Sequence, residues 1–422
     1  MPLTDEQIKG LREKAAKIKS RYDAFVARGL ALDMTRGKPG PEQLDLAEEM
    51  LASVPPGDHT SPGGVDCRNY GGVDGLPELK ALFGDYLDCP PDQILVGGNA
   101  SLTLMHDAVV QALTHGVPGG EGPWLKGPVK WICPVPGYDR HFSICQHFGI
   151  EMISVPLGDD GPDMDQVEAL VAADPAIKGM WAVPRYSNPT GIVYSDDVIC
   201  RLAAMKTAAP DFRIWWDNAY AEHHLVDRPK PMASLLNACV AAGNPDRALM
   251  FASTSKISFA GGGLAALGAS AANIDWMRLH TSKRTIGPDK LNQLRHLRFF
   301  GDINGVRDHM KKHAELLRPR FQAVVNVLKS ELEGSGLATW TEPEGGYFIS
   351  VDTLDGCATR IVELAGAAGV KLTPAGATFP HRKDPRDRNI RIAPSLPSVS
   401  DLTVATELFA LCIQMATLER LS

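Results

Sequence analysis

The chain has 422 residues, of which 44% are hydrophobic and 22% are charged. These proportions are ordinary for a globular protein of two or three domains with a sizeable core, and they exclude long disordered regions. The net charge of −7 is spread along the chain without a basic stripe, so nucleic-acid binding is not expected as the main task.

The cysteines and the first residues bear on where the protein works. The eight cysteines are scattered without a CxxC pair, so we expect reduced thiols and a cytoplasmic protein, and we predict no metal site. Thr4 is a candidate N-cap of a charged amphipathic helix that extends to about Arg28, and no signal-peptide pattern is present. No apolar run approaches the length that crosses a bilayer, so we expect a soluble protein that does not bind membranes.

Short apolar runs alternate with amphipathic stretches from about residue 90 onward. The predicted strands are Gln93–Gly97, Val129–Pro134, Glu151–Pro156, Gly179–Val183, Phe212–Trp216, Ala248–Ser253 and Ala265–Ala269. The predicted helices between them are Ser101–His115, Arg140–Phe148, Met164–Ala172 and Asp196–Ala208. This alternation predicts an α/β fold with a mostly parallel sheet flanked by helices, in which ligands bind at the carboxyl ends of the strands.

The character of the sequence changes after Gly287-Pro288. The predicted helices here are Asp289–Phe300, Asp308–Glu333, Ala358–Ala368 and one that starts at Ser400, and the predicted strands are Gly346–Val351, Lys371–Pro374 and Asn389–Ala393. We expect a smaller α+β domain, with which the N-terminal helix packs. The predicted boundaries are 1–62 and 303–422 for the small domain and 63–302 for the large domain.

Lys256 stands in a distinctive local sequence. It ends the run Ser253-Thr254-Ser255-Lys256, which directly follows an apolar stretch, and Gly261-Gly262-Gly263 comes soon after. A lysine after a strand is usually a solvated surface charge, but the hydroxyl groups and glycines make this context crowded and polar. A lysine that forms a Schiff base needs a lowered pKa, which a desolvated pocket with a cationic neighbour provides.

An acid, a tyrosine and an asparagine precede this lysine. Asp217 ends the aromatic run Trp215-Trp216, and a buried carboxylate is costly unless it has a partner such as a protonated pyridine nitrogen. The alternative for Asp217 is a helix N-cap or a turn. Tyr220 and Asn188, in Asn188-Pro189-Thr190-Gly191, can both reach the phenolic oxygen of a pyridoxal ring, although Asn-Pro turns are common in loops. The ordered set is what a lysine-bound pyridoxal 5′-phosphate (PLP) needs.

A phosphate group would need hydrogen-bond donors. The run Gly97-Gly98-Asn99-Ala100-Ser101 joins a predicted strand to a predicted helix, and the N-terminus of a helix presents free N–H groups and a positive dipole end. Ser253 can add a hydroxyl group. Asn99 as the N-cap of this helix is compatible with the same role.

Two further side chains are candidates for contacts with a ring and with a substrate. Tyr138, in Pro136-Gly137-Tyr138, can stack on a ring face or simply pack. Arg391 lies in the middle of a predicted apolar strand, where an unpaired charge would be expensive. A substrate carboxylate that is bound bidentately would satisfy this arginine, and an ion pair with a nearby acid is the alternative.

Together these residues resemble the fold-type I PLP enzymes, in particular the class I/II aminotransferases, and the match extends from Gly37 to Arg391. The resemblance implies that Lys256 forms the Schiff base with PLP and that Asp217 partners the pyridine nitrogen. It also implies roles for a set of neighbours: Asn188 and Tyr220 at the ring oxygen, Tyr138 on the ring face, and Asn99, Ala100, Ser101 and Ser253 at the phosphate.

The same resemblance implies a homodimer and a substrate site. Tyr70 matches the tyrosine that reaches the phosphate in a neighbouring subunit, which implies shared active sites. Arg391 matches the arginine that binds the substrate α-carboxylate, and Gly37, beside Arg36, matches the glycine that closes over the substrate. A dicarboxylic substrate needs a second cation, for which the candidates are Arg36, Arg140, Arg185, Lys283 and Arg284.

One departure from the family pattern concerns the phosphate. The family usually has an arginine eight residues after the lysine, whereas Leu264 stands at that place here. This variant, together with Arg36-Gly37-Lys38-Pro39 and Thr285–Lys290, is similar to the branch called MocR-like, whose free-standing members are regarded as aspartate aminotransferases. MocR regulators carry an N-terminal winged-helix domain, for which the segment before Gly37 is too short.

The resemblance therefore implies an aminotransferase that uses PLP and acts by ping-pong chemistry. Aspartate is the expected amino donor and 2-oxoglutarate the expected acceptor, so the expected partners are small molecules and a second copy of the chain. Two alternatives stay open. One is a PLP-dependent lyase or decarboxylase that uses the same lysine, and the other is a PLP-binding module that regulates a partner.

Overall fold

This computed structural model describes residues 3–421. The strands are β1 Leu32–Asp33, β2 Ile94–Val96, β3 Lys130–Val135, β4 Glu151–Pro156, β5 Ile177–Ala182, β6 Arg213–Asp217, β7 Ala248–Ser253, β8 Ala265–Ala269, β9 Ala338–Trp340, β10 Ile349–Thr353, β11 Val370–Lys371 and β12 Asn389–Ile392. The α-helices are α1 Asp5–Glu13, α2 Ala15–Ala27, α3 Pro41–Asp45, α4 Pro77–Leu87, α5 Ser101–His115, α6 Asp139–His147, α7 Met164–Ala173, α8 Asp196–Ala204, α9 Leu235–Ala241, α10 Ala271–Arg284, α11 Lys290–Phe300, α12 Ile303–Leu332, α13 Ala358–Ala367 and α14 Val399–Arg420.

A seven-stranded sheet forms the centre of the larger part of the molecule. Its strand order is β2-β8-β7-β6-β5-β3-β4. Strand β8 runs antiparallel to both of its neighbours, and β3 to β7 run parallel to one another. The prediction of a mostly parallel sheet is confirmed, and the carboxyl ends of its parallel strands lie at one edge.

Side chains of both faces of this sheet are buried, and successive residues of a strand point to opposite faces. Trp215 packs with Trp131 and Trp181 in one hydrophobic cluster, whereas Trp216 joins Met250 in a second cluster on the other face. Helix α5 belongs to the first cluster, and α4 and α8 belong to the second. The sheet is therefore covered by helices on both sides, as a run of consecutive apolar residues in a parallel strand predicts.

A smaller α+β unit follows the sheet in the chain. Strands β9, β10 and β12 form an antiparallel sheet, and β1 pairs with β11. A third hydrophobic cluster joins these strands to α2, α12, α13 and α14, and the Tyr22 hydroxyl donates to the Leu364 carbonyl at 2.9 Å. The N-terminal helices thus pack with this unit, as expected. The domain boundaries at residues 62 and 302 stay a prediction.

Some predicted helix bounds are wrong for local reasons. The N-terminal helix is two helices, because Lys14 leaves the helical ladder and its amide bonds the carbonyls of Arg12 and Leu11. Helix α12 begins at Ile303, before the predicted start at Asp308, because Asp302 caps it. Helix α8 ends at Ala204, before the predicted end at Ala208, because Met205 adopts an extended ψ of 142°.

Helix α14 departs from one further expectation. It is long and apolar enough to cross a membrane by length and composition alone, so the expectation that no apolar run reaches that length is wrong. However, 61% of its apolar window is buried inside the protein. It packs against α12, α13 and α2, and a helix that is apolar on all sides is typical of a core position.

Candidate active site

The predicted site residues follow the carboxyl ends of neighbouring parallel strands. Asp217 ends β6, and Lys256 lies in the turn after β7. Asn188 follows β5, and Tyr138 follows β3. Because these strands are adjacent in the sheet, residues far apart in sequence meet in one place.

They meet around a small pocket of about 40 Å³. Its lining includes six of the predicted site residues, namely Ser101, Tyr138, Asn188, Asp217, Tyr220 and Lys256. A larger cleft of about 770 Å³ lies elsewhere and is lined by Arg185 together with residues of α4 and α12. Arg185 donates to the Lys230 carbonyl at 3.0 Å and does not line the pocket that contains Lys256.

Lys256 lies in the pocket with its amine largely unpaired. Nζ lies 5.1 Å from the centre of the Tyr220 ring, and within residues 3–421 it makes no hydrogen bond. Burial lowers the pKa of Lys256, and the nearby carboxylate of Asp217 opposes this effect. Burial also raises the pKa of Tyr220. The amine is therefore held in a setting that favours its neutral, nucleophilic form.

The main chain at Lys256 is anchored by buried polar side chains from other elements. The Tyr347 hydroxyl donates to the Lys256 carbonyl at 3.2 Å and accepts from Gln43 Nε2 at 3.0 Å. His313 Nδ1 lies 3.0 Å from the same amide nitrogen, and His313 Nε2 lies 3.0 Å from His309 Nε2, which in turn lies 2.9 Å from the Ile257 carbonyl. This network joins α3 and α12 to the turn that carries the lysine.

Asp217 is a buried carboxylate with one free oxygen. Oδ2 lies 3.0 Å from Nε2 of His141, whose ring stacks on Trp181 with centroids 4.4 Å apart. Oδ1 is shielded from solvent and has no partner among the described residues. Asp217 does not cap a helix, so the N-cap alternative is wrong for its side chain. The carboxylate is one that a cationic group in the pocket would stabilise.

Arg391 lies at one side of the pocket in contact with two polar side chains. Nη1 donates to Asn188 Oδ1 and to Asp139 Oδ1, each at 3.2 Å. The guanidinium carbon lies 4.8 Å from the centre of the Phe348 ring. A Cβ atom at position 37 would overlap that ring, so Gly37 lies directly against Phe348. Gly37, Phe348 and Arg391 therefore form one stack.

The N-terminus of α5 provides unpaired donors beside the lysine turn. The N-cap is Ala100, so the alternative of Asn99 as N-cap is wrong, and no side chain caps this helix. The Ser255 hydroxyl donates to the Asn99 carbonyl at 2.5 Å, and Ser253 Oγ lies 2.7 Å from Ser255 Oγ. The contact brings Ser253 close to the start of α5, where an anion would be stabilised. Leu264, by contrast, packs in the core.

Several candidate residues lie away from the pocket in a single copy of the chain. Tyr70 is 82% exposed, and the side chain of Arg36 is 61% exposed, with Nε 3.8 Å from Asp33. Arg140 and Lys283 are also exposed. Arg284 pairs with Asp107 at 3.1 Å. The structure therefore does not select a second substrate-binding cation from these candidates.

Among the residues that contact the site residues, three show why the sequence did not identify them. His141 follows Tyr138 at a spacing of three, which places both near one face at the start of α6, and this spacing could have identified it. Phe348 belongs to Gly346–Val351, which was predicted only as a strand. Asp139 contacts Arg391 across 252 positions of sequence, and no local pattern indicates such a pair.

Comparisons with known proteins identify the family. The family described as aspartate amino-transferase matches residues 7–422. An aspartate aminotransferase of Corynebacterium glutamicum is 50% identical over 403 residues, which cover 95% of this chain and 93% of that protein. The crystal structure of an aspartate transaminase from C. glutamicum superposes with a TM-score of 0.96 at 49% identity and covers 98% of each chain.

A more distant structure shows the same fold. It is an α-aminoadipate aminotransferase from Thermus thermophilus, complexed with N-(5′-phosphopyridoxyl)-L-leucine, and it matches with a TM-score of 0.75 at 18% identity. The match covers 97% of this chain and 98% of the other. The fold-type I resemblance is confirmed, and this chain belongs to the aspartate aminotransferase family.

Proposed function

We propose that this protein is a PLP-dependent aminotransferase that transfers the amino group of aspartate to 2-oxoglutarate. The observation that carries the proposal is the pocket in which Lys256, Asp217, Tyr220 and Asn188 come together. Half of all positions in the aligned region are shared with the C. glutamicum aspartate aminotransferase, which supports aspartate as the donor.

The residues of the pocket fit PLP at three of its groups. Asp217 Oδ1, buried and without a partner in residues 3–421, fits a protonated ring nitrogen. The uncapped start of α5, with Ser253 beside it, fits a phosphate. Lys256, whose pKa is lowered by burial, fits an aldehyde, which needs a neutral amine to attack it.

The protein contributes proton transfer, charge and orientation to the reaction. When bound, PLP supplies an aldehyde for the substrate amine and a ring system that accepts the electron pair released at the substrate Cα. The amine of Lys256 removes the Cα proton, as a general base that its low pKa favours. Asp217 stabilises positive charge at the ring nitrogen. Arg391 binds the substrate α-carboxylate and orients Cα toward Lys256.

We also propose that the active form is a homodimer with shared sites. Tyr70 and Ile286 are both large and exposed, at 82% and 62%. Their segments lie together, because Lys290 Nζ donates to the Gly71 carbonyl at 2.6 Å. Two large exposed hydrophobic side chains on neighbouring segments support a contact with a second copy, in which Tyr70 reaches the partner's phosphate site. Dilution to the monomer is then expected to abolish activity.

A cytoplasmic location is likewise a proposal. The eight cysteines form no disulfide, and seven of them are buried. Unpaired thiols favour a reducing compartment.

A visible absorption spectrum of the holoenzyme tests the proposed reaction. Aspartate is expected to remove the absorbance of the lysine-bound cofactor, and 2-oxoglutarate is expected to restore it. Release of pyruvate, ammonia or carbon dioxide without restoration would identify a lyase or a decarboxylase instead. A cofactor spectrum that no amino acid changes would favour a regulatory module.

A further inference from the structure

Arg391 is a buried cation that already has an anionic partner. Its side chain is 9% exposed, and Nη1 lies 3.2 Å from the Asp139 carboxylate. A guanidinium in such a place needs an anion, since an unpaired buried charge is expensive. Asp139 therefore satisfies the arginine that the proposed function assigns to the substrate carboxylate.

One nitrogen of the Arg391 guanidinium already has two partners. Nε is shielded from solvent and has no partner in the described part of the chain. Nη1 is already shared between Asp139 and Asn188. A carboxylate that bridges Nη1 and Nη2 of the guanidinium has to displace one of these partners. It competes with the Asp139 carboxylate for Nη1.

The side chain of Asp139 has a favourable position in solvent when it is not paired with Arg391. Asp139 is the first residue of α6, and its side chain is 37% exposed. An acidic side chain in the first turn of a helix is stabilised by the positive end of the helix dipole. Rotation toward solvent thus costs Asp139 little, whereas Arg391 stays buried and needs a replacement anion.

We propose that Asp139 sets the affinity of the substrate site for carboxylates, as a resident carboxylate that occupies Arg391 until an incoming carboxylate displaces it. The proposal rests on the aminotransferase function proposed above. Amino and oxo acids carry the anion that the exchange requires, and amines without a carboxylate do not. The resident acid therefore weakens the binding of every substrate that carries an α-carboxylate.

Asp139→Asn tests this directly, because it removes the charge and keeps the shape. We expect the Kd of the holoenzyme for succinate, an unreactive dicarboxylate, to fall about three- to tenfold by calorimetry, which corresponds to roughly 0.6–1.4 kcal/mol. The KM for aspartate is expected to fall in parallel while kcat changes less than about twofold. Asp139→Ala is expected to act in the same direction.

Asp165→Asn is the matched control. Asp165 also lies in the first turn of a helix, α7, and pairs with an arginine, Arg201, at 2.5 Å, but its side chain is 89% exposed. Its substitution changes the net charge equally, and we expect it to leave the Kd for succinate unchanged.

Each outcome decides the proposal. A Kd for succinate that is unchanged or raised in both Asp139 variants would overturn it, because Asp139 would then support Arg391 instead of competing for it. If the wild-type protein transaminates aspartate and binds succinate but the Asp139 variants do not bind succinate more tightly, only this inference is refuted. Wild-type protein that does neither refutes the proposed function as well.

Discussion

Replacement of Asp217 by asparagine removes one charge from the centre of the site and keeps the shape of the side chain. The residue is 4% exposed, Oδ2 lies 3.0 Å from His141 Nε2, and Oδ1 has no partner in residues 3–421. The asparagine retains a polar group for His141 but cannot stabilise a cationic ring nitrogen. The substitution therefore separates the electrostatic role of the residue from its packing.

The size of the effect follows from burial. Removing one partner of a buried ion pair costs about 3–5 kcal/mol, and about 1.36 kcal/mol corresponds to a tenfold change in rate. We expect kcat/KM for aspartate to fall by roughly 10²- to 10⁴-fold. The cofactor-free protein should lose no thermal stability, because the substitution removes a buried carboxylate whose Oδ1 is unpaired.

Asp211→Asn is the matched control, since Asp211 precedes the opposite end of the same strand. It is equally buried, at 3%, but it accepts from Lys178 at 2.6 Å and from Trp124 at 2.7 Å. We expect this variant to lose stability and to keep kcat/KM within about threefold once folded. The assay is oxaloacetate formation from aspartate and 2-oxoglutarate at saturating PLP, with a thermal melt of each protein. Equal activity losses in the two variants, or an Asp217 variant near wild type, would refute the reasoning.

Three further predictions follow from the same site. Gly37→Ala forces the Phe348 ring away from its place next to Arg391. Overpacking costs roughly 1–3 kcal/mol, so the KM for aspartate should rise about 5- to 150-fold, and an unchanged KM would show that the stack is irrelevant. Tyr347→Phe removes the hydroxyl that donates to the Lys256 carbonyl, so we expect the free energy of unfolding to fall by about 1–2 kcal/mol. A lower melting temperature would show this loss. Because the pKa of Lys256 is lowered in the folded state, the unfolded state binds the proton more tightly, and stability of the cofactor-free protein should rise with pH from that lowered pKa up to about 10.5. Denaturant unfolding across that range should show the slope in the wild type and its loss in Lys256→Met.

The strands of the large sheet could be predicted from the sequence because most of them are apolar runs bounded by turn residues. Strands β7 and β8 and helix α5 have the predicted bounds, and the parallel order brings Lys256 and Asp217 together. The antiparallel direction of β8 and the short strand β9 depend on tertiary pairing, which no local pattern expresses. Helix ends were less predictable, since one cap such as Asp302 moves the start of a helix by more than a turn.

Lys256, Asp217, Asn188 and Tyr138 could be placed together from the sequence because each lies at or after the carboxyl end of a predicted strand. The supporting contacts of the site arise from the approach of distant segments. Asp139 pairs with Arg391 from another element, and Gln43 links Tyr347 to His313 next to the lysine turn. Such pairs have no fixed spacing in sequence. The position of Tyr70 relative to the phosphate site depends on a second copy of the chain and stays a prediction.

The central claim is that Lys256, opposite Asp217, bonds covalently to PLP. Reduction of the holoenzyme with borohydride, followed by digestion and mass spectrometry, locates that bond. The account predicts one phosphopyridoxyl adduct per chain, on the peptide that contains Lys256, and no labelling of Lys290, a buried lysine. An adduct at Lys290 or at a surface lysine, with Lys256 unmodified, would contradict it.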